Sequence, residues 1–308
     1  MVTPSVKPLD LISKDQYEEI KKKEDWRNVL SITLSWLQMI AAITLFYLFP
    51  NIFTFLTAVI IVGSRQFSLA VLAHDGAHHL LFSNSRVNDW ATQWLCSYPI
   101  FTDNRVYRPY HFNHHRYTET QEDPDLVLSA PFPVTKKSFT RKVLRDLTGR
   151  TGLRRYGGAI SSILKTKGNN LFDKQLKILE KIHGFLLTNL FIFLFLSLTM
   201  HWSVFFLLWW LPAFTYYSLI IRIRNIAEHA VTPGNNDFDN TRTTKSSLFT
   251  RLLMVPHNVN YHLEHHLFTR CPWYNLPKAH QMLIDNGYAD KMCIENSYSD
   301  VLKKAVGA

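Results

Sequence analysis

The stretch Asn28–Ser64, NVLSITLSWLQMIAAITLFYLFPNIFTFLTAVIIVGS, contains no Asp, Glu, Lys or Arg. One membrane-crossing helix needs roughly 20 apolar residues. The stretch is therefore too long for one span and right for two, with a break at Phe49-Pro50-Asn51. A second uncharged stretch, Ile182–Ile221, repeats the pattern and breaks near His201-Trp202-Ser203. The reading is two helical hairpins, with spans over 29–49, 52–73, 184–201 and 203–222. Four buried helices of a soluble protein are the alternative, but uncharged runs of this length are rare in soluble cores.

Outside these stretches the chain is basic. Of its 34 Lys and Arg, six precede the first hairpin, 17 lie between His74 and His183, and ten follow from Arg222 onward. Only Arg65 falls inside a span, near one end, where its side chain can snorkel. The hairpin tips carry no cation, so the positive-inside rule puts residues 1–28, 74–183 and 223–308 on the cytosolic side. The net charge of +10 is then explained by a membrane-facing basic surface, and no nucleic-acid partner is inferred. The N-terminus is polar, contains Lys21-Lys22-Lys23, and does not read as a secretory signal. Cys96, Cys271 and Cys293 are widely spaced and predict neither a disulfide framework nor a Cys-rich metal site. The expected fold is all-α and integral to the membrane, a single domain over 1–308. Four transmembrane helices in two hairpins carry a cytosolic helical cap.

Between the hairpins, the apolar run Trp90–Phe101 is too short to cross and predicts an interfacial or re-entrant helix. Segment 141–182 has eleven Lys or Arg against three acidic residues. Its apolar residues recur at helical spacing, which predicts amphipathic helices on an anionic membrane surface, or a solvated basic helix. Gly152, Gly157, Gly158 and Gly168 are expected to break it into pieces. Residues 231–247 read as a polar loop.

Nine of the 14 histidines fall in three short clusters. His74-Asp75-Gly76-Ala77-His78-His79 follows the second span. His111-Phe112-Asn113-His114-His115 follows it, and His262-Leu263-Glu264-His265-His266 lies in the C-terminal part. Residues three and four apart share a helix face, so each cluster offers two or three imidazoles to one site. Imidazole suits iron, zinc, copper and nickel. Eight or nine exceed what a single zinc site uses, which points to two metals. Asp75, Glu228 and Glu264 stand beside cluster histidines and are candidates to accept hydrogen bonds from ring N–H groups. His183, His201 and His280 read as ordinary packed or solvated residues.

His-Asp-x-x-His-His followed by two His-x-x-His-His boxes, on a chain with two membrane hairpins, resembles the membrane fatty acid desaturase superfamily. The stretch after the second box, Glu122-Asp123-Pro124-Asp125, and Pro272-Trp273-Tyr274-Asn275-Leu276-Pro277 after the third are similar to it too. Each box alone is weak; the three together are specific. The resemblance also implies a ligand from Asn225-Ile226-Ala227-Glu228-His229: His229 directly, and Asn225 through a metal-bound water. Within the first box, His74 pairs with either His78 or His79, since both spacings occur. His257 is a candidate for a supporting role.

The resemblance implies two iron ions, dioxygen as co-substrate and two external electrons. Removal of two neighbouring hydrogens gives a double bond, whereas oxygen rebound gives an alcohol. The boxes do not separate these outcomes. The implied substrate is an acyl lipid, acyl-CoA or acyl carrier protein, with the chain in a tunnel for which Trp36, Trp209, Trp210, Phe214, Tyr216 and Tyr217 are candidates. No Cys-rich electron-transfer motif occurs, so a separate donor of ferredoxin, rubredoxin or cytochrome b5 type is expected. It would dock on a cytosolic face near Lys136, Lys137 and Arg154. A carotenoid ketolase or hydroxylase, or a lipid hydroxylase, is the rival within the superfamily. A membrane metal transporter is a rival outside it, disfavoured because transport sites lie at mid-bilayer. A bacterial inner membrane is preferred over an endoplasmic reticulum.

Overall fold

The computed structural model describes residues 6–234 and 236–307. Its main elements are helical. In chain order they are α1 (Lys14–Ile20), α2 (Asp25–Leu48), α3 (Ile52–Ala77), α4 (Asn104–Tyr117), α5 (Lys136–Leu147), α6 (Arg150–Leu164), α7 (Leu171–Thr199), α8 (Trp202–His229), α9 (His262–Leu267), α10 (Leu276–Asp285) and α11 (Tyr298–Ala305). Two parallel pairings of two residues each supplement them: Val134–Thr135 with Val306–Gly307, and Thr243–Thr244 with Ile294–Glu295.

Among the described residues four helices are long and apolar enough to cross a membrane: α2 with its N-terminal extension, α3, α7 and α8. The residues Phe49–Asn51 between α2 and α3 are capped by Asn51, whose Oδ1 accepts from the Phe53 and Thr54 amides. The helices divide into an outer and an inner pair. On α2 and α7 the outward side chains are large, apolar and exposed, among them Leu30, Leu37, Leu187, Phe191 and Leu198. So large an apolar surface needs a nonpolar surrounding. The inner pair, α3 and α8, is much more buried. Their contact with the outer pair forms one core around Val62, Leu69, Leu72, Leu208 and Trp209.

Several boundaries differ from the sequence reading. Helix α7 starts at Leu171, not near 184, because Asn170 caps it at the Asp173 amide and its first turns are amphipathic rather than apolar. Helix α8 runs through to His229. It passes over a wide i→i+5 turn at Phe206–Trp210, just before Pro212, which has no N–H to give to the ladder. Gly152, Gly157 and Gly158 lie inside α6 and do not break it. Gly152 is where α6 touches α8: a Cβ there would sit 2.5 Å from Phe214 Cα. The run from Ser85 to Ile100 is helical and packs its buried residues Ala91, Cys96 and Ile100 into the core beside α3.

Candidate metal centre

The inner helices end where the histidines begin. Helix α3 carries His74 in its last turn, and His78 follows at the helix end. Between them stands Gly76. A Cβ there would fall 2.0 Å from Thr92 Oγ1, so only glycine lets this turn pack so closely. The Gly76 carbonyl accepts from Asn88 Nδ2 (2.9 Å) and Arg108 Nη2 (3.1 Å), which fixes the end of α3. Helix α8 carries Asn225 and His229 in its last turns. Its terminal carbonyls are capped by the buried Arg242, which donates to Ala227 (3.2 Å), Ala230 (3.1 Å) and Val231 (2.9 Å). Helices α4 and α9 supply the other two boxes.

Nine histidines converge in two groups. His74, His78, His111, His115 and His265 form the first; His114, His229, His262 and His266 form the second. Within each group, one ring nitrogen from every histidine lies within 4.8 Å of those from the others. Helical geometry explains the division. Each residue turns about 100°, so the fourth and fifth residues of His-x-x-His-His point to opposite sides of the first. His111 and His115 therefore serve one group while His114 serves the other. His262 and His266 serve the second group while His265 serves the first. The second and third boxes each straddle both groups, which holds them side by side.

The nitrogens are spaced as ligands around an ion. His78 and His111 Nε2 are 3.0 Å apart, His111 and His115 2.9 Å, and His115 and His265 3.0 Å. In the second group His229 and His262 Nε2 are 2.9 Å apart, and His262 and His266 3.1 Å. A neutral imidazole nitrogen has one proton or one lone pair, so the four Nε2 atoms of the first chain cannot make all three contacts hydrogen bonds. A metal–nitrogen bond of about 2.1 Å puts neighbouring ligands of an octahedron about 3.0 Å apart. Both ring nitrogens of His74, Nδ1 of His229 and Oε2 of Glu228 are buried without a hydrogen-bond partner, a costly arrangement unless another group fills the space. Burial, reinforced by neighbouring cations and histidines, pushes His111, His115, His262, His265 and His266 well below the ordinary histidine value. His78 is brought down to about 3 by the same causes. The rings are thus neutral, the form that binds metal. The donor set fits two first-row metal ions, iron among them.

Carboxylates surround the second group more closely. His114 Nδ1 is 2.9 Å from the buried Asp123 Oδ1, an orienting hydrogen bond of the kind metal-ligating histidines make. His229 Nδ1 lies 3.6 Å from Glu119, and His262 Nε2 3.6 Å from Glu228. The reading of the sequence missed Asp123 and Glu119 as supports, although Asp123 stands in the acidic run that follows the second box. Asn225 borders a cavity of about 30 Å³ shared with His114, His229 and His262, large enough for ordered water.

The remaining candidates lie elsewhere. The backbone turns left-handed at His79 (φ 58°), which sends its ring away from the group to a half-exposed position 3.5 Å from Asp89. His78, not His79, joins the cluster. Glu264 faces away from both groups: Oε1 meets His280 Nδ1 at 2.5 Å and Oε2 accepts from Thr243. His280 is therefore a packed residue that partners Glu264. Asp75 accepts from the Trp273 amide (2.9 Å), with Oδ1 3.5 Å from His74 Nδ1. His257 bonds Ser68 (2.6 Å) and packs on Trp273, away from both groups. Burial and Arg65 lower its titration to about 3.

A chamber of about 300 Å³ opens beside the first group, with His74, Tyr107, Asn225, Arg155 and Tyr217 in its wall. Of the six aromatic residues proposed for a tunnel, only Tyr217 lines it. Trp36 instead stacks on Trp209 in the core, 5.6 Å between centroids. A larger apolar crevice of about 590 Å³, walled by Tyr156, Phe193, Phe205 and Trp210, touches none of the nine histidines.

Four apolar helices beside two imidazole groups define a membrane protein of a particular class, and the family comparison agrees. The Fatty acid desaturase family model matches residues 50–292, and the chain belongs to that family. It is also 27% identical over 263 residues to the dihydrorhizobitoxine desaturase of Bradyrhizobium elkanii. The match covers 82% of this chain and 74% of that protein.

Proposed function

We propose that the protein is an oxygen-dependent desaturase that introduces a double bond into an aliphatic acyl chain, with two iron ions held by the nine histidines. The observation that carries this is the division of those histidines into two adjacent groups of largely buried imidazoles. In this reading His74, His78, His111, His115 and His265 hold one ion. His114, His229, His262 and His266 hold the other, with Asn225 reaching it through water. The two ions supply the oxidising power: with one dioxygen, two electrons and two protons, two hydrogens leave neighbouring carbons and two waters form. The chain's own residues orient and insulate. Asp123 fixes the His114 ring, Gly76 and Arg242 fix the ends of α3 and α8, and the chamber aligns the target carbons against His74 and Asn225.

The desaturase relative favours loss of two hydrogens over hydroxylation or ketolation. The positive-inside pattern supports a multi-pass arrangement with two hairpins and the metal centre on the cytosolic side. A separate electron donor would meet the basic surface that includes Lys136, Lys137 and Arg154; acidic partners are steered to such a face. The test is expression of wild type and His265→Ala in a host without desaturases, with double bonds located by mass spectrometry. A new unsaturated species that the variant lacks supports the reading. A hydroxylated species, or none from iron-loaded protein supplied with a donor, overturns it.

A further inference from the structure

The chamber beside His74 contains a charge that an apolar tail does not need. Two arginines line it, Arg155 and Arg224. Arg224 is accounted for, since its Nε meets Glu228 Oε1 at 2.6 Å. Arg155 has no carboxylate of the described residues within 4.0 Å. Asp146, whose field reaches it, is already held by Arg222 and by the Thr151 hydroxyl (2.6 Å). Asp125, also in the chamber wall, is bound by the Tyr110 hydroxyl.

The Arg155 guanidinium is fixed in place. Its Cζ lies 4.8 Å from the Tyr156 ring centroid and 4.9 Å from that of Tyr217. Nη2 donates to the Tyr156 hydroxyl (3.1 Å) and the Ala213 carbonyl (3.3 Å). The N–H groups on Nη1 and Nε have no protein acceptor among the described residues, and neither nitrogen is sealed inside protein. A preorganised guanidinium with free donors in a chamber wall recognises an anion, and a carboxylate matches its fork best.

Resting on the desaturase reading above, we infer that the substrate carries a free carboxylate held by Arg155. The enzyme then acts on an unesterified aliphatic acid rather than on a thioester or a glycerolipid. A thioester or ester offers only a neutral carbonyl at this place and leaves the guanidinium unpaired. The apolar part of the wall, Phe67, Val71, Leu128, Ile221 and Val259, takes the chain. His74 and Asn225 bring the metal centre to the same space.

The test is equilibrium binding to the full-length, iron-loaded protein in lipid nanodiscs. Decanoate, methyl decanoate and decanoyl-CoA serve as probes, against wild type, Arg155→Gln and Arg155→Lys. Decanoate is expected to bind about tenfold or more tighter than methyl decanoate. Arg155→Gln should erase that preference, and Arg155→Lys should keep part of it, with iron content equal in all three. Equal affinity for acid and ester in wild type, a preference unchanged in Arg155→Gln, tighter binding of decanoyl-CoA that needs Arg155 less, or no decanoate binding would each overturn the inference. Iron content separates it from the desaturase reading. Protein that prefers decanoate yet binds no iron defeats that reading alone, and iron-loaded protein indifferent to the carboxylate defeats this one alone.

Discussion

The two histidine groups share the second and third boxes but are not equivalent. The first has five imidazoles, and among the described residues only Asp75 approaches it, loosely, through His74. The second has four imidazoles, with Asp123 bound to His114, and Glu119 and Glu228 close to His229 and His262. It also borders the small cavity that Asn225 lines. The first group thus consists almost wholly of imidazoles, while the second is supported by carboxylates and borders room for water. More ligands mean tighter holding, and fewer ligands with a water leave a position to exchange. The difference argues that the two sites have different affinities and are not interchangeable halves.

The strongest way to break this comparison is to remove one ligand from each side. His265→Ala is expected to empty the first site and His262→Ala the second. Each should lower metal content by one ion per protein and product formation by more than about a hundredfold. Elemental analysis with product mass spectrometry checks this; loss of both ions from either variant would show that the groups form one indivisible site.

Acid should act next most strongly on the metal-free protein. The folded values of His78, His111, His115, His262, His265 and His266 are depressed, so the unfolded chain binds protons first as pH falls. Stability is then full above about 6.5, the ordinary histidine value, and is lost between there and about 3, where His78 titrates. Thermal melts of chelator-treated protein across this range measure it, and a melting temperature that stays flat from pH 7 to 4 would contradict it.

Asp123→Ala should weaken only the second site, by about 10- to 100-fold in metal affinity, because His114 loses the partner that orients its ring. Asn225→Ala is expected to cost less, about tenfold or below, with the first site unaffected; a competitive chelator titration resolves both variants. His79→Ala should be the smallest change, with metal content and product within about twofold of wild type, since a half-exposed surface side chain contributes little. A large loss there would restore the alternative spacing of the first box.

The comparison also shows where reading the chain reached its end. The membrane helices were legible because apolar length is a property of consecutive residues. The box histidines were legible because helical spacing is local. Which imidazole joins which group was not, because it depends on the sign of a rotation and on how α4 and α9 meet. The His78 and His79 alternative was decided by a left-handed turn at His79 that the box spacing leaves open. The glycines of α6 misled for a related reason. Gly152 is there for contact with α8, a partner 62 residues away in sequence whose approach no local rule announces.

By itself the sequence determined that four long helices meet a nonpolar surrounding and that three histidine boxes stand beside them. Hydrophobic length and i, i+3, i+4 spacing act over a few turns of chain. Only the tertiary structure decided the division into five and four, Asp123 as the partner of His114, and the placement of Arg155 in the chamber wall beside His74. Those follow from the packing of α3, α4, α8 and α9 at their ends, and of α6 against α8. Such contacts join residues far apart in the chain, so their geometry exists only once the helices have met.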